Sequence, residues 1–210
     1  MNRVTFLIDG FNLYHSIRTA LYNRAIRRGK WLNIRALCES YVSSFGEDAQ
    51  LFEIYYFSAL ADHIPGAAAR HEQFLKALRA SGVKTRLGKF KKKIVRCKAT
   101  CKGEGIGYEE KETDVNIALK MFELFMLDQC DTCVVMTGDT DLNAALTSAK
   151  RLFTTKKIGV IFPYARDRNN EAKRLVDNYV TIKPEDYQKY QFTNPVVREG
   201  KSDIIKPPDW

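Results

Sequence analysis

Short apolar runs alternate along the chain with longer stretches of helical periodicity. Val4–Ile8 is almost wholly apolar, opens on a β-branched residue and stops at Asp9-Gly10, which is the profile of a buried strand. Residues 12–28 carry Leu13, Ile17, Leu21 and Ala25 at near-helical spacing. Residues 34–45 read as a second helix and residues 51–57, rich in aromatic and branched side chains, as a second strand. Pro65 near the start and Gly82 just past the end frame a helix over residues 65–81, and a strand returns at residues 83–87.

Past a glycine-containing segment, residues 113–128 show the clearest helix, with Val115, Ala118, Leu119, Phe122, Phe125 and Met126 on one face. Strands at 133–136, 158–162 and 179–182 then alternate with helices at 139–152 and 170–177. Such alternation predicts parallel βαβ units with helices on both faces of the sheet. Ligands of such sheets bind outside the carboxyl ends of the strands, where the strand order switches.

Length and composition narrow the class. The 210 residues suit one domain with a short appendage, and 45% hydrophobic and 28% charged residues suit a folded globular chain. Lys and Arg number 34 against 25 Asp and Glu, a net charge of +9 that favours polyanionic partners, nucleic acid first. The first residues do not form a secretory h-region, and no apolar stretch is long enough for a membrane span. With five cysteines, an odd number, the expectation is a reduced cytoplasmic protein with free thiols and no membrane partner.

Strand ends concentrate acids. Asp9 closes the first strand, and Asp139 and Asp141 follow the strand at 133–136 in Thr137-Gly138-Asp139-Thr140-Asp141. Asp114 lies in the first turn of the long helix, above Ala118 and Met121, and is expected to point inward. Four carboxylates at one sheet edge repel one another unless a cation joins them. Magnesium or manganese, hard ions that take carboxylate and water oxygens, fit that need. In a basic protein such an ion suggests phosphodiester hydrolysis. Asn12 and Thr137 are positioned to orient a water or a phosphate; taken singly, helix capping and turn hydrogen bonding explain them as well.

These motifs resemble a known family. Asp9-Gly10-Phe11-Asn12-Leu13, Glu110-Lys111-Glu112-Thr113-Asp114-Val115 and Thr137-Gly138-Asp139-Thr140-Asp141-Leu142 are similar to the motifs of the NYN domain, in its bacterial LabA-like branch. The likeness runs on through Ile158–Pro163 and Val176–Tyr179 and into the tail. It implies a PIN-like three-layer α/β/α sandwich with a central, mostly parallel sheet over residues 1–183, followed by a proline-rich tail over residues 184–210. It further implies a metal-dependent ribonuclease, with Asp9, Asp114, Asp139 and Asp141 as metal-site acids and Asn12 beside them. Family members often carry an acid two helical turns after the Asp114 position, where this chain has Lys120.

Residues 88–110 form the expected insertion, a basic hairpin or long loop. Lys89, Lys91, Lys92, Lys93, Arg96 and Lys98 interleave with Phe90 and Ile94, which suits a ribbon laid on the backbone of RNA, expected to be single-stranded, with Phe90 available for stacking. Zinc is not expected. Cys97-x-x-x-Cys101 is loosely spaced, and Cys133 of Cys130-x-x-Cys133 starts a core strand, where a buried thiol is the simpler reading.

The function expected is therefore a Mg2+- or Mn2+-dependent endoribonuclease, with a non-catalytic RNA-binding or adaptor protein of the same fold as the alternative. A haloacid-dehalogenase-like phosphatase is disfavoured, because that chemistry needs an acid two residues after the nucleophilic Asp and Phe11 stands there.

Overall fold

The computed structural model describes residues 1–96, 104–208 and 210. Its centre is a seven-stranded sheet. In chain order the strands are β1 (Asn2–Asp9), β2 (Ala49–Ala59), β3 (Lys84–Arg96), β4 (Glu104–Lys111), β5 (Thr132–Met136), β6 (Lys157–Phe162) and β7 (Asn178–Thr181). The helices are α1 (Gly10–Tyr22), α2 (Ile34–Tyr41), α3 (Ala67–Ala80), α4 (Thr113–Met126), α5 (Asn143–Leu152), α6 (Asn170–Leu175) and α7 (Pro184–Lys189). The strand order is β4-β3-β2-β1-β5-β6-β7. Every pairing is parallel except β3 with β4, which form an antiparallel ribbon.

The centre of the sheet is buried on both faces, which is why β1 and β5 lack a polar side. Val4, Phe6 and Ile8 of β1 join Val134 and Met136 of β5 under α1, α2 and α3. Leu7, Cys133 and Val135 face the opposite layer of α4, α5 and α6, where Ile117, Leu124, Leu146 and Ala172 meet them. The expected sandwich is thus the fold. Cys130 and Cys133 are both buried, and burial pushes their thiols up in pKa. Cys97, Cys101 and Lys98 lie outside the described residues.

Three elements depart from the periodicity. α1 stops at Tyr22 rather than near Arg28, because Arg24 takes a left-handed φ of 55° and turns the chain back. The helix expected from Asp139 starts at Asn143. The Asp139 carboxylate instead accepts the Asp141 N–H, and Asn143 N–H bonds to the Thr140 carbonyl; this local turn competes with helix. The proline-rich tail, too, is packed onto the domain. Gln191 bridges to Leu32, Val196 bridges to Ile204, and Trp210 meets Trp31 edge-on.

The anchor of the tail is Tyr187 of α7, fully buried. Its hydroxyl bonds to Ser16 Oγ at 2.7 Å and accepts the Tyr164 N–H at 3.0 Å, while Ser16 Oγ donates to the Tyr164 carbonyl. This triangle ties α7 to α1 and to the loop after β6. Tyr187→Phe leaves the Tyr164 N–H without its partner in a dry site. It should cost about 1–3 kcal/mol in urea unfolding; an unchanged midpoint would show that the tail is held by packing alone.

Candidate metal and active site

β1 and β5 are neighbours, so the expected carboxylates come to one edge. The strand order reverses here: β2 and β3 lie to one side of β1, and β5, β6 and β7 to the other. Beyond the carboxyl ends of β1 and β5 opens a cavity of about 170 Å³ walled by Asp9, Asn12, Glu110, Asp114, Asp139 and Arg166.

Asp9 is 4% exposed and its orientation is fixed twice. One carboxylate oxygen accepts the Asn12 N–H at 2.9 Å, capping α1, and the other accepts the Thr137 hydroxyl at 2.9 Å. Asn12 reaches across in turn, its side-chain oxygen accepting the Gly138 N–H at 3.0 Å. The two strand ends are thereby stitched together. Two glycines let other parts of the chain close in on these strand ends. A Cβ at Gly10 would sit 2.5 Å from the Tyr56 ring, and one at Gly138 would sit 2.1 Å from the Arg166 carbonyl oxygen.

The loop carrying Asp139 is held from behind. Asn169 donates to the Asp139 carbonyl at 2.9 Å and pairs reciprocally with the amide of buried Asn143. Asp114 projects from the first turn of α4 into the cavity, as expected. Asp141 does not line it. It is exposed just outside, near enough for its charge to raise the pKa of Asp114.

Electrostatics mark the cluster as under-compensated. Burial pushes the Asp9 carboxyl up to about 6; the charges of Asp114 and Asp139 add to the rise, and the Asn12 and Thr137 hydrogen bonds oppose it. Glu110 is pushed up to about 8, first by burial and then by Asp9 and Asp114. Asp114 is raised by burial and by its acidic neighbours. Among the described residues none of the four cavity acids stands at ion-pair distance from a Lys or Arg. Nor do three of them stand close enough to form a ready metal cage. The donor set nevertheless consists of hard oxygens, the type a magnesium or manganese ion takes.

Glu110 is the residue that motif reading left out of the site. It enters from the β3–β4 ribbon, where it pairs with Phe90 and accepts a hydrogen bond from the Thr113 hydroxyl. Arg166 is a second omission. It follows β6, and no spacing rule connects it with Asp9.

The ribbon divides the basic run. Directly paired residues share a face, so Phe90, Lys92, Ile94, Ile106, Tyr108 and Glu110 look one way. Lys89, Lys91 and Lys93 look the other, with Glu109 salt-bridged to Lys93 and to Lys111. Arg96 closes β3. Near the cavity this face makes aromatic contacts: Phe90 meets Phe11 at 5.5 Å and His63 at 4.8 Å, and Tyr108 stacks on His63 at 3.8 Å. Phe90 is half-buried there, while Ile94, Ile106 and Tyr108 are exposed. Lys120, two turns along α4, points away from the acids. It is buried, salt-bridged to Glu123 and 4.6 Å from the centre of the Tyr55 ring.

Residues 3–183 match the family model of the NYN domain. The chain is also similar to 6-hydroxy-3-succinoylpyridine 3-monooxygenase HspA of Pseudomonas putida. The two are 27% identical over 243 residues, covering 99% of this chain and 75% of that protein. Among solved structures, a protein of unknown function from Vibrio parahaemolyticus, VPA0982, has a TM-score of 0.54 at 20% identity. The match covers 86% of this chain and 93% of that one, and it concerns the fold. No helix among the described residues is long and apolar enough to cross a membrane.

The raised carboxyls give a pH dependence of known sign. Folded values of about 6 and about 8 lie above the ordinary 3.8 and 4.5, so the folded protein keeps these protons to higher pH than the unfolded chain does. In chelator, stability should fall as pH rises from about 5 toward 8. Glu110→Gln should flatten that fall and gain roughly 1–2 kcal/mol at its alkaline end, after discounting for the carboxyl's partial exposure. Urea unfolding at both ends of the range checks this; equal slopes for parent and variant would contradict it.

Proposed function

Because the chain belongs to the NYN domain family, within the PIN-like nuclease superfamily, we propose that it is a metal-dependent endoribonuclease working at the acidic cavity. The observation that supports this most is the unpaired acid cluster at the strand-order switch, set in a chain of net charge +9. Asp9, Asp114, Asp139 and Glu110 would hold a magnesium or manganese ion, with Asp141 at its outer edge. When bound, such an ion supplies Lewis acidity toward water and phosphate.

The remaining work falls to the chain. Asp9, locked by Asn12 and Thr137, presents its free lone pairs at a fixed place and needs no reordering when substrate arrives. Arg166 lines the same cavity, and its guanidinium suits a phosphate oxygen. Lys92, on the ribbon face shared with Glu110, can engage the incoming single-stranded RNA beside the cavity. Lys89, Lys91 and Lys93 serve the other side of the ribbon, where they add a more general attraction for polyanion.

A second reading has two observations in its favour. The Pseudomonas relative is named as a monooxygenase of a succinoylpyridine, and an aromatic-lined cavity of about 410 Å³ lies beside the acids here. On that reading the acids would serve a small aromatic acid instead of RNA.

A mixed pool of single-stranded RNA incubated with manganese separates the readings. The parent should cleave it, and Asp9→Asn should lose at least 100-fold in rate, a loss typical of removing a central electrostatic group. Lys92→Ala should weaken binding and flatten its salt dependence by up to roughly 0.7 in log–log slope. Binding without cleavage would leave an RNA-binding protein on a nuclease fold. Neither binding nor cleavage would sink the RNA reading.

A further inference from the structure

The larger cavity of about 410 Å³ adjoins the acidic one and shares Phe11 and His15 with it. Its volume lies within the ~300–1,000 Å³ typical of small-ligand sites. The walls are aromatic and apolar, with Tyr56 and Phe74 inside and Trp210 of the tail on the far side. The rim is cationic at Arg18 and Lys30.

Its polar features are few. Ser58 and Tyr56 are both buried and line it from β2. His71 lines it from α3, and its Nε2 is buried without any hydrogen-bond partner. A polar atom left unpaired in a dry place costs about 1–3 kcal/mol. Burial also lowers the pKa of His71 to about 4, so at neutral pH the ring is uncharged and offers either a donor or an acceptor at Nε2. An aromatic slot with one unsatisfied neutral nitrogen fits a flat heterocycle with a polar edge.

The geometry points to this cavity as the seat of a nucleobase, turned out of a single RNA strand whose adjoining phosphate lies at the acids, the His71 ring turning so that Nε2, otherwise beneath the cavity surface, bonds the polar edge of the base. This deepens the nuclease reading and rests on it. Unstacked bases held between aromatic side chains and read along an edge are the usual currency of single-strand recognition. The shared wall of Phe11 and His15 places base and phosphate sites side by side, as neighbouring groups of one nucleotide require. Arg18 and Lys30 face the route along which the rest of the strand would run. The site would make binding depend on base identity, which the lysines of the ribbon cannot do.

The test uses the full chain and reads binding alone, with nucleosides and benzoate titrated in chelator and oligoribonucleotides in calcium, a hard ion that relieves the repulsion between the adjoining phosphate and the acids. The four ribonucleosides, single-base oligoribonucleotides and benzoate are titrated against the tryptophan fluorescence of the neighbouring pair Trp31 and Trp210. At least one nucleoside should quench saturably, and the oligonucleotide of the same base should bind more tightly. His71→Phe keeps the ring and removes the nitrogen. It should weaken both ligands about 5-fold yet melt no lower than the parent, because an orphaned polar atom is gone. Ala67→Trp, at the partly exposed start of α3 on the cavity wall, should fill the slot and abolish the nucleoside response while the far-ultraviolet circular dichroism is kept.

Quenching by benzoate with no response to any nucleoside would overturn the proposal in favour of a small aromatic acid. A nucleoside that binds while its oligonucleotide does not would overturn the RNA source. Nucleoside binding untouched by either variant would overturn the site. If the site passes and no RNA is ever cleaved, the nuclease reading alone fails; if RNA is cleaved and the site fails, the nucleobase pocket alone does.

Discussion

Everything at the working edge of this protein depends on one costly act, the burial of the Asp9 carboxylate at the end of the central strand. A buried carboxylate survives only when its charge is met by hydrogen bonds or by a cation. Here hydrogen bonds meet part of it, through the Asn12 amide and the Thr137 hydroxyl. Asp114 and Asp139 then share its cavity and add repulsion, and Glu110 beside them is pushed up in turn by burial and by Asp9 and Asp114. A fold selected for stability alone would have no use for such a cluster. The strain is sustained because the sheet beneath it is apolar on both faces and firmly packed.

Topology makes the clustering possible. The β1–β5 neighbourhood lies where the strand order reverses, so the helices that follow the two strands diverge to opposite layers and leave an opening above. Gly10 and Gly138 let Tyr56 and the Arg166 backbone pack directly against the two strand ends. The Asn143–Asn169 amide pair fixes the loop carrying Asp139, and the ribbon brings Glu110 over from the far edge of the sheet. The site is therefore assembled from β1, the β4–α4 junction and the β5 loop, three parts remote in sequence.

What could be read from the chain alone follows from that assembly. Asp9, Asp114 and Asp139 were legible because each ends a strand or opens a helix whose periodicity is strong, and the parallel α/β class says where such ends meet. Glu110 was not, because its orientation depends on the register of a ribbon whose partner residues alternate too weakly to set it. Asp141 reads as an equal of Asp139 in the motif, yet the Asx turn made by Asp139 leaves it outside the cavity. The lysine run reads as one surface, and strand alternation divides it in two. Lys120 stands where a related chain often has an acid, and its partners Glu123 and Tyr55 show that it belongs to the packing of α4. The tail gave no periodic signal, since its anchors Tyr187, Ile204 and Trp210 are single residues that dock separately.

The central claim is that the cavity acids are held in repulsion that a divalent cation relieves. Calorimetric titration of manganese near pH 7, repeated in buffers of different ionisation enthalpy, tests it most directly. Burial and the charges of Asp9 and Asp114 push the Glu110 carboxyl up to about 8, so an ion that takes this carboxylate as a ligand displaces a proton. Saturable binding with net proton release is expected. Binding with no proton release, or no binding at all, would contradict the claim.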